Sequence, residues 1–157
     1  MTMRSQWSNA LLLAVTLALL GGGCRTGGLT AVMHPEVSGT ATLHGKALGD
    51  REFAPVSCRS GEYEFFYGAD FGDADGTIAR FILDPSGAAR LRLFDAGRPE
   101  EPGVVFTASD CSELAVSLGR TGWEVNEIHD LHADVAFTCR SGSGETASGH
   151  LSAQHCH

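Results

Sequence analysis

Three groups of side chains could do chemistry by their type and spacing: the aspartates before Gly76, the seven histidines and the five cysteines. Asp70, Asp73, Asp75 and Gly76 set hard oxygen ligands before a glycine that permits a sharp turn, as calcium loops require. Aligned on an EF-hand frame, Asp73, Asp75 and Gly76 put Phe71 at the first ligand position and Ile82 at the twelfth, and neither offers an oxygen. The run therefore predicts an aspartate-rich hairpin turn. The histidines are His34, His44, His129, His132, His150, His155 and His157, and imidazoles at suitable spacing bind zinc, copper or haem. His129 and His132 are three apart, so a strand turns them to opposite faces. His155 and His157 are two apart and share a side, which makes them weak metal candidates, but no acid follows to orient their rings. Solvated or sheet-edge histidines are the reading adopted, with no metal and no cofactor assigned.

Nucleophile and phosphate chemistry find no footing. A Gly-x-Ser-x-Gly elbow is absent, and Ser141-Gly-Ser-Gly144 reads as a hairpin turn. The single lysine, Lys46, follows His44-Gly45 without phosphate-loop spacing. Glu62 and Glu64 fall on the solvent side of an amphipathic strand, and Glu100 and Glu101 fall in a linker. No catalytic residue is assigned, and a non-enzymatic protein is expected.

Composition bounds what can hold these residues. The 157 residues are 43% hydrophobic with 20 glycines, enough for one turn-rich domain and too short for two. Acids outnumber Lys and Arg by 19 to 11, a net charge of −8, which disfavours a phosphate-tracking nucleic-acid binder. At the N-terminus, Met1 to Asn9 carries Arg4 and no acid, Ala10 to Leu20 is an apolar run, and Gly21-Gly-Gly-Cys24 follows. A run of that length is too short to span a bilayer, which takes about 20 residues, and has the form of a secretory signal.

This segment resembles a bacterial lipoprotein signal, in which a leucine and small residues precede a cysteine that becomes the lipidated mature N-terminus. The leucine here is Leu20, one step further from Cys24 than is usual, with Gly21 in its place. The resemblance implies a signal peptide over 1–23 and a lipidated cysteine with a flexible tether over 24–35. It also implies membrane attachment through that lipid, and Arg25 after the cysteine looks like outer-membrane retention. Removing 1–23 takes away Arg4 and no acid, so the exported domain, 36–157, is more acidic still.

From Glu36 onward, short segments with two-residue alternation are separated by Gly, Asp, Pro and Ser clusters. The expected strands are 37–48, 62–71, 77–83, 89–94, 104–107, 128–139 and 148–156, with Asp73 to Gly76 as a turn. In 62–71, alternation places Tyr63, Phe65, Tyr67, Ala69 and Phe71 on one face. Between 110 and 118, Asp110 and Glu113 have capping-box spacing while Leu114, Val116 and Leu118 alternate; we read a strand. The fold class expected is all-β, a small antiparallel sandwich or partly open barrel, with no helix longer than about three turns.

With Cys24 set aside for lipid, Cys58, Cys111, Cys139 and Cys156 remain, an even number for an oxidising compartment. Zinc sites usually pair cysteines two to four residues apart, whereas the gaps here are 53, 28 and 17. If 135–139 and 148–153 form a hairpin about residues 142–145, Cys139 lies near its turn and Cys156 at the far end, on the order of 25 Å away. A disulfide spans about 4.4 to 6.8 Å between Cα atoms, so these two do not pair. A strand over 112–118 antiparallel to 131–138 brings Cys111 beside Cys139 and leaves Cys58 for Cys156, whereas a helix over 110–118 would let Cys111 reach Cys58. The repeated Cys-Arg-Ser-Gly at 58–61 and 139–142 suggests a shared strand-end turn.

Taken whole, the chain resembles the small disulfide-bonded lipoproteins of the Gram-negative envelope. That resemblance implies a lipid-anchored envelope protein of the periplasm and outer membrane with a binding or structural role, and no nucleic-acid partner. The alternative is a periplasmic metal or haem handler using surface histidines, and a small hydrolase stands well behind.

Overall fold

The computed structural model describes residues 35–157. The expected signal peptide, the lipid on Cys24, the tether up to residue 34 and His34 itself lie outside the described residues.

Among the described residues ten strands form, β1 (Glu36–His44), β2 (Arg51–Phe53), β3 (Pro55–Ser60), β4 (Gly68–Asp73), β5 (Thr77–Leu83), β6 (Ala89–Asp95), β7 (Val104–Thr107), β8 (Cys111–Val125), β9 (Ile128–Arg140) and β10 (Thr146–Cys156). They make two five-stranded sheets, ordered β2-β1-β10-β9-β8 and β3-β4-β5-β6-β7, and every pairing is antiparallel. This is an all-β sandwich, as the alternation predicts.

Alternation is cleanest in β9, where Leu131, Ala133, Val135, Phe137 and Cys139 point into the core while His132, Asp134 and Thr138 face water. The period of two along a pleated strand puts alternate residues on one face, and burying that face holds the sheets together. The two sheets meet at Phe81 of β5, whose ring is edge-on to Phe71 at 5.9 Å and tilted against Phe137 of β9 at 5.3 Å.

Both disulfides join neighbours in the fold. Cys58 of β3 is bonded to Cys156 of β10 and so links one sheet to the other, while Cys111 and Cys139 link β8 to β9. The geometry behind the expected pairing is present: Cys139 lies opposite Ala147 beside the β9–β10 turn, and Cys156 lies opposite Leu131 at the far end.

Several boundaries differ from expectation. β1 stops at His44 rather than reaching Leu48, because Gly45 (φ 129°) begins a turn. β2 and β3 lie outside the expected strands. The strand at 110–118 is real but longer, and the capping box belongs instead to Thr107 and Asp110, around a single 3-10 turn at Ala108–Asp110.

The largest correction is at 62–71. Gly61–Glu64 is a 3-10 turn, and the strand begins only at Gly68. The Ser60 side chain accepts from the Glu62 amide, and Phe65 adopts φ 62°. Phe66 folds inward instead, with its ring so close that a Cβ on Gly61 or Gly68 would stand 2.4 or 2.7 Å from it. Tyr63, Phe65 and Tyr67 are exposed, so of the five residues expected on one buried face only Ala69 and Phe71 are in the core.

Candidate functional site

Polar chemistry gathers where the β8–β9 hairpin runs on beyond β10. β10 ends opposite Leu131, but β8 and β9 continue to Val125 and Ile128, joined by Asn126 (φ 52°) and Glu127 (φ 67°). Positive φ at both loop residues is the tight-turn geometry whose twist matches that of the flanking strands. The β8–β9 register slips between Arg120 and Glu124, and the β9–β10 register slips between Ala153 and Cys156, where His155 takes φ 61°.

Those irregularities surround Asp130, which is buried on β9. Thr121 donates its hydroxyl to Asp130 Oδ2 at 2.7 Å, and His155 Nδ1 lies 2.9 Å from the same oxygen. Asp130 Oδ1 is buried, accepts no hydrogen bond, and faces His157 Nδ1 at 3.5 Å. His155 and His157 thus do share a side, and the expectation that they lack an acid is corrected. Their carboxylate comes from the neighbouring strand, 25 residues before His155. Of the two rings the carboxylate is hydrogen-bonded to His155 alone, with His157 3.5 Å from its other oxygen, and among the described residues no three His, Cys, Asp or Glu side chains are placed to hold a metal ion.

A second polar knot sits against the same hairpin. Glu62 accepts from the His129 amide at 2.8 Å and from Arg120 at 2.6 Å, and His129 Nδ1 lies 2.9 Å from its carboxylate. Glu62 was expected on the solvent side of a strand, and instead it fastens the 3-10 turn of one sheet to the hairpin of the other. Burial raises its pKa, but the His129 amide and ring and the Arg120 guanidinium outweigh that and hold it at about 2. A carboxylate held below its unfolded value of 4.5 contributes stability above that pH and loses it as pH falls towards 2. Glu62→Gln is therefore expected to flatten this acid limb. Acid titrations followed by near-UV circular dichroism check it, with wild type losing signal relative to the variant between these two values.

The remaining candidates are engaged separately. Asp73 Oδ1 accepts from the amides of Asp75 (3.0 Å) and Thr77 (2.8 Å), the side-chain turn that aspartate favours, and Arg51 pairs with Asp73 at 2.9 Å. Asp70 is turned to Arg80, so the aspartates do not converge as a calcium loop would. His44 contacts Asp50, His150 contacts Asp134, and His132 lies against Gly119. Ser141-Gly-Ser-Gly144 is the β9–β10 turn, closed by Gly144 N–H to Ser141 C=O at 3.0 Å. Both Cys-Arg-Ser-Gly segments end a strand, and in each the serine hydroxyl accepts an amide of the turn that follows, from Glu62 or from Glu145.

An open cleft of about 600 Å³ is lined by Arg51, Asp75, Phe94, Asp95, Arg98 and neighbours. Its arginines are already paired, Arg51 with Asp73 and Arg98 with Asp95 and Glu101. No family model matches the chain, and neither the curated proteins nor the solved structures give a significant match.

Proposed function

We propose that this chain is a non-enzymatic protein of the cell envelope, held in the outer membrane by lipid on Cys24 and serving a binding or structural role. The observation that carries this reading is the division of labour among the five cysteines. All four in the folded domain are consumed in two bridges, and Cys24 stands apart behind an apolar run with signal-peptide form. Bridges of this kind persist in oxidising compartments, and a free cysteine next to the signal is then available for acylation. Of the histidines in the metal-handling alternative, His155 and His157 face Asp130, His129 faces Glu62, and His44 and His150 contact Asp50 and Asp134, so these rings are spread over four separate acids.

Mass spectrometry of the membrane-extracted protein tests the anchor. The expected N-terminus is Cys24 with acyl mass attached, and Cys24→Ser is expected to move the protein from the membrane to the soluble fraction. Several chains on one residue bind a bilayer far more durably than one, at about 0.8 kcal/mol per buried methylene. An unmodified N-terminus downstream of Cys24 overturns the proposal.

A further inference from the structure

Among the described residues, the exposed aromatic rings all lie by the hairpin and the 3-10 turn fastened to it: Phe65 is 99% exposed, Trp123 59% and Tyr63 50%, with Tyr67 and Val125 beside them. Val56 on β3 and Val105 on β7 are the large apolar side chains exposed elsewhere. Scattered exposed apolar residues are ordinary, but large aromatic groups gathered on a hairpin and the turn fastened to it mark a surface that meets something. Phe65 is also displayed at a conformational cost, since φ 62° is an uncommon backbone state for a bulky residue. The loop is held in that shape from three sides, by Glu62 on His129 and Arg120, by Glu64 on Arg80 at 2.7 Å, and by the inward Phe66 ring against Gly61 and Gly68.

The start of the domain says what this surface faces. Glu36, first residue of β1, lies opposite Gln154, two residues before the Cys156 that pairs with Leu131. The chain therefore enters its sheet by the same end from which the β8–β9 hairpin projects. β1 and β8 are three strand spacings apart in that sheet, about 14 Å. Glu36 is twelve residues beyond Cys24, and twelve residues reach at most about 43 Å even when fully extended. Lipid on Cys24 thus tethers this end of the domain close to the bilayer, at high effective concentration. The turns at the other end of the sheet, 45–50 and 141–145, contain no aromatic residue.

We propose that this end of the domain docks on the headgroup–acyl boundary of the anchoring bilayer, with Phe65, Trp123 and Tyr63 inserted as interfacial groups. The inference rests on the lipid-anchor reading. Aromatic rings favour that boundary, and the acidic chain, with Glu124 and Glu127 flanking Trp123 and the turn, directs docking to neutral lipid through ring burial rather than charge.

The mature chain has one tryptophan, Trp123, because Trp7 departs with residues 1–23. The acylated protein reconstituted in phosphatidylcholine vesicles brominated near the headgroup reports its depth. The expected result is a roughly twofold fall in Trp123 emission relative to unbrominated vesicles, insensitive to salt and reversed by Phe65→Ser combined with Tyr63→Ser. Unchanged far-UV circular dichroism and an unchanged unfolding midpoint show that this variant keeps its fold, and Phe65→Ser alone gives a partial reversal. Acyl mass on Cys24 without quenching overturns docking and leaves the anchor standing, whereas absence of acyl mass overturns the anchor and docking with it. Shielding of Trp123 that appears without lipid and grows with protein concentration assigns the surface to a second copy, and likewise overturns docking.

Discussion

Replacing Cys58 and Cys156 together with alanine is expected to lower the unfolding free energy by about 4 to 5 kcal/mol, the larger of the two disulfide effects. In the chain-entropy account, a bridge stabilises by removing conformations from the unfolded chain, more so as the loop it closes lengthens. The separations are 98 residues for Cys58–Cys156 and 28 for Cys111–Cys139, giving about 4.7 and about 3.6 kcal/mol when each is taken alone. The longer bridge also carries the link between the sheets, since Cys58 and Cys156 belong to different sheets and Cys111 and Cys139 to neighbouring strands of one. Guanidinium unfolding of the two double variants checks the order. Equal losses, or a greater loss for Cys111 with Cys139, would show that native-state packing around the sulfurs outweighs loop closure.

The pairing itself was legible in the sequence because it depends on few quantities. The β9–β10 hairpin announces itself by alternation on both sides of Ser141 to Glu145, and once its turn is placed, strand rise alone separates Cys139 from Cys156. The turn at Asp73 to Gly76 was legible for a similar reason: aspartate at the first position caps its own turn, whatever lies beyond.

What sequence reasoning missed depends on partners far along the chain. Alternation in 62–71 is the same whether the aromatic residues point into a core or outward, and the contacts that decide it come from Arg80 and from Arg120 and His129 on other strands. β3 hides its strand character because a register shift between Pro55 and Ser57 breaks the period of two. Asp130 shows no sign of serving His155 and His157 until the β9–β10 register places Leu131 opposite Cys156. The hairpin register that placed the cysteines, extended unbroken along β10, sets Asp130 opposite Cys156 and so on the core side, and only the bulge at His155 (φ 61°) shifts the pairing by one and turns the acid to the two histidines.

Arg80→Ala is expected to cost about 3 to 5 kcal/mol at neutral pH, the range for removing one partner of a buried ion pair. Arg80 and Asp70 are opposite one another on β5 and β4, joined through two hydrogen bonds at 2.8 and 2.7 Å, and both side chains are largely buried. The guanidinium also lies 4.5 Å from the centroid of Phe66 and 5.1 Å from that of Phe94, so alanine removes packing along with charge. Burial raises the Asp70 pKa, and the bonds and charge of Arg80 only partly oppose it. A carboxylate with a raised folded pKa is destabilising when ionised, and that penalty fades as pH falls towards its unfolded value of 3.8. Without Arg80 the burial is less opposed, so the deficit of Arg80→Ala relative to wild type should narrow on acidification, at least until Glu62 protonates in both proteins. Asp70→Asn is expected to cost less at neutral pH, because Arg80 keeps Glu64 and both rings, and its deficit should not narrow in the same way. Urea unfolding of the two variants at pH 7 and at about pH 4.5 separates these effects. A deficit for Arg80→Ala that is the same at both values would assign its whole cost to lost packing between the rings of Phe66 and Phe94, with no contribution from the stranded charge of Asp70.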